Sequence, residues 1–356
     1  MADRAAWLRH LPGSKRCLSA LCRAEGQSWA TPQARGTDVM DDNGMSAERP
    51  ARHYAFGYGF DSYEPLGPEC THVGVRLPMA AADLEKLARL LEGRPDVTVH
   101  FHGGRTTDLA FLTYFPFVRR LSVHLWELED ISGFSYLQDG LDLLSFGRTK
   151  KRLSVKFLQD MPALGTLFLE GHTKDIDSVS QLTQLTSLGM RSITLPDLAL
   201  LAPLRELSIL GLSFGGTRNL AALAQLPSLK RLSLFRINKL DDLSILSQLA
   251  SLEFLDLDSM RNVTALPSLA TLAHLEEVSL ETMNGLTDLS AVAAAPNLRQ
   301  LTIAGMPQLN LDAFRCLVGH RSLQELRLWS SLDGAVNLKK AVREAVRQLL
   351  PEITAA

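Results

Sequence analysis

The feature that most constrains the fold is an internal repeat, which runs from residue 118 almost to the end of the chain. Ten segments fit the pattern L-x-x-L-x-L, and all thirty of the defining positions are apolar. Successive segments start 19 to 25 residues apart, most often 23. Such a period predicts a stack of similar units around one shared core, rather than separate globular domains. The segments start at Val118, Leu141, Leu164, Leu185, Leu204, Leu229, Leu252, Leu275, Leu298 and Leu323.

Each unit divides into two parts with different apolar spacing. Alternation around the L-x-L positions predicts a short strand with one face buried. Further apolar residues recur every three positions before the next unit, as at Leu243, Leu246 and Leu249. This spacing favours a short helix or 3₁₀ turn that packs against the same core. Asp residues near the start of this return part are predicted to be caps or turn formers, namely Asp197, Asp242 and Asp288.

The units resemble leucine-rich repeats of the short bacterial, internalin-like type, best in "LKRLSLFRINKLDDLSILSQLAS" (229–251) and "LEFLDLDSMRNVTALPSLATLAH" (252–274). The resemblance implies an α/β solenoid that is curved and right-handed, with a parallel sheet inside and short returns outside. The family usually places Asn eight residues after the first Leu, where it bonds buried backbone. Here most residues of that column are apolar, so we expect other chain atoms or water to satisfy the backbone. The column reads Trp126, His172, Ile193, Leu212, Ile237, Met260, Met283 and Met306.

The repeat pattern divides the chain into four parts. Residues 118–336 hold the ten repeats, and residues 337–356 are predicted to form a C-terminal capping helix. Residues 51–117 are predicted to form an N-terminal cap with two degenerate repeats, starting at Cys70 and Arg94, and a helix over 79–95 that covers the end of the core. Residues 1–50 are rich in Gly, Pro, Asp and Ser and are predicted to be disordered. Met40 and Met45 lie just upstream of the structured part, which favours a later translation start.

Outward strand residues are predicted to line the concave face, which is where recognition is expected in such a repeat. Basic and aromatic side chains come first along the array and acidic side chains follow, so the pattern predicts a protein-binding face with neighbouring positive and negative zones and aromatic anchors. The predicted partner-binding residues are Phe168, Arg191, Arg231, Phe235, Arg236, Asp256, Asp258, Glu281 and Trp329.

The sequence points away from an enzyme, because it lacks the phosphate-binding, zincin and nucleophile-elbow motifs. We therefore expect a non-enzymatic protein-binding scaffold with no cofactor. One alternative is a regulatory subunit of a separate enzyme, of phosphatase or GTPase type. Another is a metal-binding protein that uses His100, His102 and His124, because these imidazoles share one side of adjacent strands.

Two weaker sites lie outside the His group. Cys316 and His320 stand one helical turn apart and form a conceivable thiolate–imidazole pair, although a structural role is the simpler interpretation. Asp256 and Asp258 offer two carboxylates to a calcium ion, which are too few ligands for a convincing site.

Composition and charge limit the environment and the partners. The formal net charge is −2, which gives no general attraction for nucleic acid or anionic lipid, so we expect neither as a partner unless a local patch exists. No apolar run is long enough to span a membrane. The four cysteines do not form a disulfide framework, and the N-terminus lacks a secretory apolar stretch. We expect a cytoplasmic monomer that binds an unidentified protein.

Overall fold

A single parallel sheet organises the molecule. The computed structural model describes residues 52–56, 66–68, 70–137, 140–329 and 338–355. Within these residues, fourteen strands follow one another through the sheet in sequence order, and each neighbouring pair is parallel. The predicted solenoid with an inner parallel sheet is thereby confirmed. The expected disorder of residues 1–50 lies outside the described residues.

The strands are short because each one contributes only a few residues to the shared face. Their bounds are β1 Arg52–Phe56, β2 Cys70–Leu77, β3 Thr98–Gly103, β4 Arg120–Leu125, β5 Leu143–Phe146, β6 Thr166–Glu170, β7 Ser187–Arg191, β8 Ile209–Ser213, β9 Arg231–Phe235, β10 Phe254–Asp258, β11 Glu277–Glu281, β12 Gln300–Ala304, β13 Glu325–Trp329 and β14 Thr354–Ala355.

The return segments lie on one side of the sheet and are mostly 3₁₀, as the three-residue spacing predicts. The 3₁₀ segments are Ala110–Tyr114, Ser132–Leu137, Lys156–Asp160, Ile176–Gln181, Ala199–Leu201, Ala221–Gln225, Ser244–Gln248 and Leu311–Leu317. Within the described part of the chain, three α-helices accompany them, α1 Ala81–Leu91, α2 Ser290–Ala293 and α3 Lys340–Leu349. The aliphatic columns of strands and returns form one continuous buried core. The concave face is the side of the sheet away from the returns.

The predicted Asp caps begin the return segments. Asp242 Oδ1 accepts a hydrogen bond from the Ser244 N–H at 2.8 Å, and Asp288 makes the same bond to Ser290 at 2.8 Å. Asp197 accepts from Ala199 N–H at 2.9 Å. These backbone hydrogen bonds satisfy donors that the first turn of the segment leaves open.

Strand register corrects the alignment of one central repeat. Leu210 pairs with Leu188 and Leu232, and Leu212 pairs with Met190 and Leu234. The unit therefore starts at Leu207 and not at Leu204, and the irregular steps of 19 and 25 residues on either side both become 22. As a result, Leu210 belongs to the core, and Gly211 and Ser213 take the outward positions.

A smaller correction applies near the N-terminus. Val99 and Phe101 pair with Leu121 and Val123, so the degenerate repeat placed at Arg94 starts two residues later, at Asp96. The Arg94 guanidinium instead donates to backbone carbonyls around the start of β2, including that of Cys70 at 2.8 Å. Arg94 is thus a structural residue that holds the start of β2.

The helices at the two ends differ from the prediction in detail. The helix predicted over 79–95 is α1, and it buries Leu84, Leu87 and Leu91. Because β1 pairs with β2 beyond it, α1 is the return segment of the β2 unit and does not close the end of the sheet. The C-terminal helix predicted in 337–356 is α3, and after it β14 pairs with the start of β13.

A row of left-handed residues ends seven consecutive central strands. Five of them are not glycine, and each has φ between 51° and 57°. The N–H of each of the first six donates to the carbonyl of the last strand residue in the next unit, at 2.8–2.9 Å. This backbone ladder replaces side-chain Asn, so the expectation that chain atoms satisfy the bend is confirmed. Its members are Gly171, Ser192, Phe214, Arg236, Ser259, Thr282 and Gly305.

The column that holds Asn in the family is mainly a packing column here. Ile193, Ile237, Met260, Met283 and Met306 are buried in it. Two assignments to this column need correction. Once the unit starts at Leu207, the residue in this column is Gly215 and not Leu212. Trp126 is 47% exposed, so it does not belong to the buried core.

Candidate functional site

Three adjacent central strands place the predicted binding residues side by side. In register, Arg231 lies next to Phe254, which lies next to Glu277. Four residues further along the strands, Phe235 lies next to Asp258 and then Glu281. These positions alternate with core leucines, so they all belong to the concave face.

Guanidinium groups stack on phenyl rings across this region. The Arg231 Cζ lies 4.0 Å from the centre of the Phe254 ring, and the Arg191 Cζ lies 4.3 Å from that of Phe214. Both distances are within the range of a cation–π interaction. We call the six residues of this region the arginine–phenylalanine patch: Arg191, Phe214, Arg231, Phe235, Arg236 and Phe254.

The left-handed ladder completes the patch. Phe214 and Arg236 both have positive φ and follow β8 and β9 directly. The rings of Phe214 and Phe235 meet edge to face at 4.8 Å, and the Arg236 Cζ lies 5.2 Å from the Phe235 ring centre. Arg236 is exposed, and the two rings are partly buried. The patch therefore presents apolar edges and a guanidinium to solvent.

Acidic residues border the patch on both sides. On the N-terminal side, Arg191 Nε lies 3.2 Å from Glu170 Oε1, and only 11% and 17% of the two side chains are exposed. On the C-terminal side, Asp256 and Asp258 are 6% and 5% exposed, and Ser259 Oγ donates to Asp258 Oδ1 at 2.8 Å. Glu281 is partly exposed. Their burial leaves the two aspartates little contact area to offer a partner.

The structure changes the interpretation of two predicted anchors. Phe168 is only 2% exposed, although it lies on the concave face beside Ser145 and Gly189, so the prediction that it is an accessible anchor is wrong. Its neighbours in register are small, which leaves room for the ring against the sheet. Trp329 ends β13 beside Ala304, but its side chain lies outside the described residues.

Phe214 and Phe254 are the patch residues that the sequence analysis missed. Phe254 occupies the same column as Arg231, two positions after the first Leu of its unit. Phe214 was hidden by the alignment at Leu204, because only a start at Leu207 places it directly after the strand. An alignment chosen for even steps reveals Phe214, whereas Phe254 could have been found by including the column two positions after the first Leu.

The predicted histidines do come together at the N-terminal end of the concave face. The ring centres of His100 and His124 are 4.9 Å apart, and those of His100 and His102 are 5.4 Å apart. His100 Nδ1 lies 2.7 Å from Ser122 Oγ, and His124 Nε2 lies 3.2 Å from Ser145 Oγ. The rings are thus neighbours that bond to serines on the next strand.

Burial makes these imidazoles weak bases. It lowers the pKa of His100 to about 3, with a further contribution from the charge of His124, and it lowers the pKa of His124 to about 4. Burial also lowers the pKa of His102, helped by the charge of Arg76. In the part of the chain that the structure describes, no three His, Cys, Asp or Glu side chains are arranged to hold a metal ion. The lowered pKa values favour a neutral imidazole cluster near neutral pH.

Cys316 and His320 have structural hydrogen bonds. Cys316 Sγ donates to the Ala313 carbonyl at 3.3 Å, and burial together with Asp288 raises the pKa of the thiol. His320 Nε2 donates to the Ala295 carbonyl at 3.0 Å, while Nδ1 accepts from the Leu323 N–H at 3.1 Å. A raised thiol pKa opposes nucleophilic activation, since the thiolate is the reactive form.

The described helices are too short and too polar to cross a bilayer.

Comparison with solved structures identifies the fold. An internalin from Listeria monocytogenes superposes with a TM-score of 0.51 and 18% identity, covering 72% of this chain and 80% of that one. A leucine-rich repeat protein from Leptospira interrogans covers 86% of this chain and 96% of its own length at 16% identity, with a TM-score of 0.43. No protein-family model matches the sequence, and no curated protein does. The fold is that of a leucine-rich repeat solenoid.

Proposed function

We propose that this protein is a non-enzymatic recognition module, and that its concave face binds a partner protein through the arginine–phenylalanine patch. Leucine-rich repeat solenoids are typically protein-interaction modules, which supports the general assignment. The residues of this chain support the location, because aromatic and arginine side chains dominate protein interfaces.

The observation that carries the proposal is the stacking of three guanidinium groups on three phenyl rings in the middle of the face. Side chains held in this way lose little conformational freedom when a partner docks, which lowers the entropic cost of binding. The patch is also flanked by buried carboxylates, so it combines apolar contact with a steep change in potential.

Each member has a distinct role in this proposal. Phe235 and Phe254 supply apolar contact area, and Arg236 offers an exposed guanidinium to an acceptor on the partner. Glu281, with Asp256 and Asp258 behind it, receives a positive group of the partner. Trp329 remains a predicted anchor at the C-terminal end of the same face.

We also propose that the protein acts in the cytoplasm as a monomer and without catalysis of its own. Cys316 is a free, exposed thiol, which suits a reducing compartment. The bonding of Cys316 and His320 to backbone groups favours a structural use of the one cysteine–histidine pair that the sequence suggested.

The test is affinity capture from the native host, followed by mass spectrometry and titration of the purified partner. The patch variant is Phe235→Ala with Phe254→Ala, and we expect it to weaken binding by about 2 kcal/mol or more, roughly thirtyfold. Arg236→Glu is a second variant, which keeps the rings and reverses one exposed charge. If the captured partner is an enzyme whose activity changes on binding, the regulatory-subunit alternative applies to the same face.

Tyr136→Ala is the matched control, because Tyr136 is an exposed aromatic on a return segment, away from the concave face. It should leave the affinity unchanged. Urea denaturation of each variant checks that the array stays folded. Equal affinity of the patch variant, Arg236→Glu and wild type refutes the location of the site.

A further inference from the structure

Among the described residues, the concave positions of β2, β3 and β4 carry cations and imidazoles but no acidic group. Six of these positions hold basic side chains, and on β5 the corresponding positions hold Leu143 and Ser145. The first carboxylate on this face is Glu170 on β6, which is paired with Arg191. We call the six basic residues the imidazole platform: His72, Arg76, His100, His102, Arg120 and His124.

Part of the platform is open to solvent. His72 and Arg76 are exposed, and His102 and Arg120 are partly exposed. Arg120 Nε donates to Thr98 Oγ1 at 3.2 Å, which fixes its stem along the face. Arg76 lies beside His102 in register, and its charge helps to lower the pKa of that imidazole. The positive charge at this point is that of the exposed Arg76 guanidinium, which can pair with an incoming negative group.

An exposed tryptophan lies at the rim of the same units. Trp126 directly follows β4, and the Arg148 Cζ lies 5.7 Å from its ring centre. Arg105 is exposed two residues after β3, and Arg148 is exposed two residues after β5. The rim also carries Glu127 and Glu129, and Glu129 Oε1 lies 2.7 Å from Lys151 Nζ. The rim thus combines a large apolar surface with guanidinium groups.

We propose that the imidazole platform and the Trp126 rim together bind an acidic segment of a partner protein, in which carboxylates flank an apolar residue that packs on Trp126. The proposal rests on the proposed function in one respect, namely that a protein docks on the concave face. It adds a second contact region and the chemistry that this region selects.

The spread of the cations favours several carboxylates over a single phosphate. The platform extends over three strands, roughly 10 Å across, and its guanidinium groups do not converge on one point. A phosphate is best bound by donors that converge on its oxygens, whereas a chain of Asp or Glu residues matches distributed charge. Trp126 adds a surface on which an apolar side chain packs, and a lipid headgroup supplies no such group.

The test uses two labelled synthetic peptides and fluorescence anisotropy near neutral pH. In one peptide, aspartate alternates with serine around a single phenylalanine, and in the other, asparagine replaces every aspartate. Wild-type protein should bind the aspartate peptide about tenfold more tightly or better. Arg76→Gln with Arg148→Gln should abolish this preference, and Trp126→Ala should weaken both peptides alike.

Arg89→Gln with Arg315→Gln is the matched control, because both arginines are exposed on return segments and the variant has the same net charge. It should keep the preference, and urea midpoints of all variants should agree because the altered side chains are exposed. Equal binding of the two peptides, or a preference that survives in the platform variant, overturns the proposal. So does tighter binding of a single-stranded oligonucleotide or a phosphatidylserine vesicle that competes with the aspartate peptide.

These outcomes are independent of the central patch. Loss of the natural partner in the Phe235 and Phe254 variant tests the proposed function, whereas the peptide preference tests the platform alone. If the partner binds without an acidic segment, the Phe235 and Phe254 variant still loses the partner, but the protein shows no preference for the aspartate peptide.

Discussion

Acidification should destabilise this protein well above the pH at which its carboxylates titrate, because its buried imidazoles resist protonation. His100 has a folded pKa of about 3 and His124 one of about 4, against an ordinary value of 6.5. Between these values the unfolded chain binds more protons than the folded chain. The free energy of unfolding therefore falls as the pH falls below about 6.5, and the fall ends when the folded imidazoles protonate.

The magnitude follows from the shifts. At about pH 5, an imidazole that stays neutral only in the folded state lowers stability by about 2 kcal/mol relative to about pH 7.5. Two such groups together lower the free energy of unfolding by at most about 4 kcal/mol. The expected loss is smaller than this sum, because part of the lowering of the His100 pKa comes from the charge of His124. Burial lowers the pKa of His102 and of His172 as well, so both act in the same direction.

The assay is urea denaturation at a series of pH values, read by far-ultraviolet circular dichroism. His100→Gln removes one titrating group and should reduce the slope of stability against pH by up to about 1.4 kcal/mol per pH unit in this range. His274→Gln, at an exposed imidazole far along the array, is the matched control and should keep the wild-type slope. A stability that is constant from neutral pH to about pH 5, or a slope that His100→Gln leaves unchanged, refutes the reasoning.

Three further predictions concern stability and use the same urea assay. Leu255→Asp places an unpaired charge in the shared core and should cost more than about 4 kcal/mol, whereas Leu255→Val should cost about 1 kcal/mol. Gly133→Ala should be strongly destabilising, because a Cβ there lies 2.3 Å from the Leu109 carbonyl oxygen, while Gly104→Ala, with open space around it, should not; equal midpoints contradict this. Ser192→Gly should raise stability by up to about 1 kcal/mol by relieving a positive φ, and a lower midpoint argues against strain at that position.

The sequence predicts the core well because the period is carried by side chains that must be buried. The first residue of each of the ten segments is buried, including Leu204, since the return segment and the strand face the same interior. Burial alone therefore does not set the start of a unit. The stretch from Leu201 to Leu212 fits the repeat pattern in two overlapping registers, which start at Leu204 and at Leu207. Only the second register gives the two neighbouring repeats equal lengths.

The recognition surface is harder to predict because it depends on register and backbone conformation together. A shift of three residues moved Leu210 from the core to the predicted face and hid Phe214. Burial of Phe168 depends on the small size of Ser145 and Gly189 in the neighbouring strands, which a single segment does not reveal. The left-handed residues Ser192, Phe214 and Arg236 share no side-chain chemistry, so nothing in the sequence marks them.

The backbone ladder links the stacking of units to the recognition surface. A left-handed conformation costs a non-glycine residue roughly 1–2 kcal/mol, while one backbone hydrogen bond contributes about 1 kcal/mol. The conformational cost and the hydrogen-bond contribution therefore nearly cancel at each ladder residue. The strand register and the packing of the buried Ile237 and Met260 supply the remaining stabilisation. Because Phe214 and Arg236 lie on the ladder, their positions in the patch depend on the next unit being stacked. The patch is consequently a property of the assembled array, and a repeat without its neighbours does not present it.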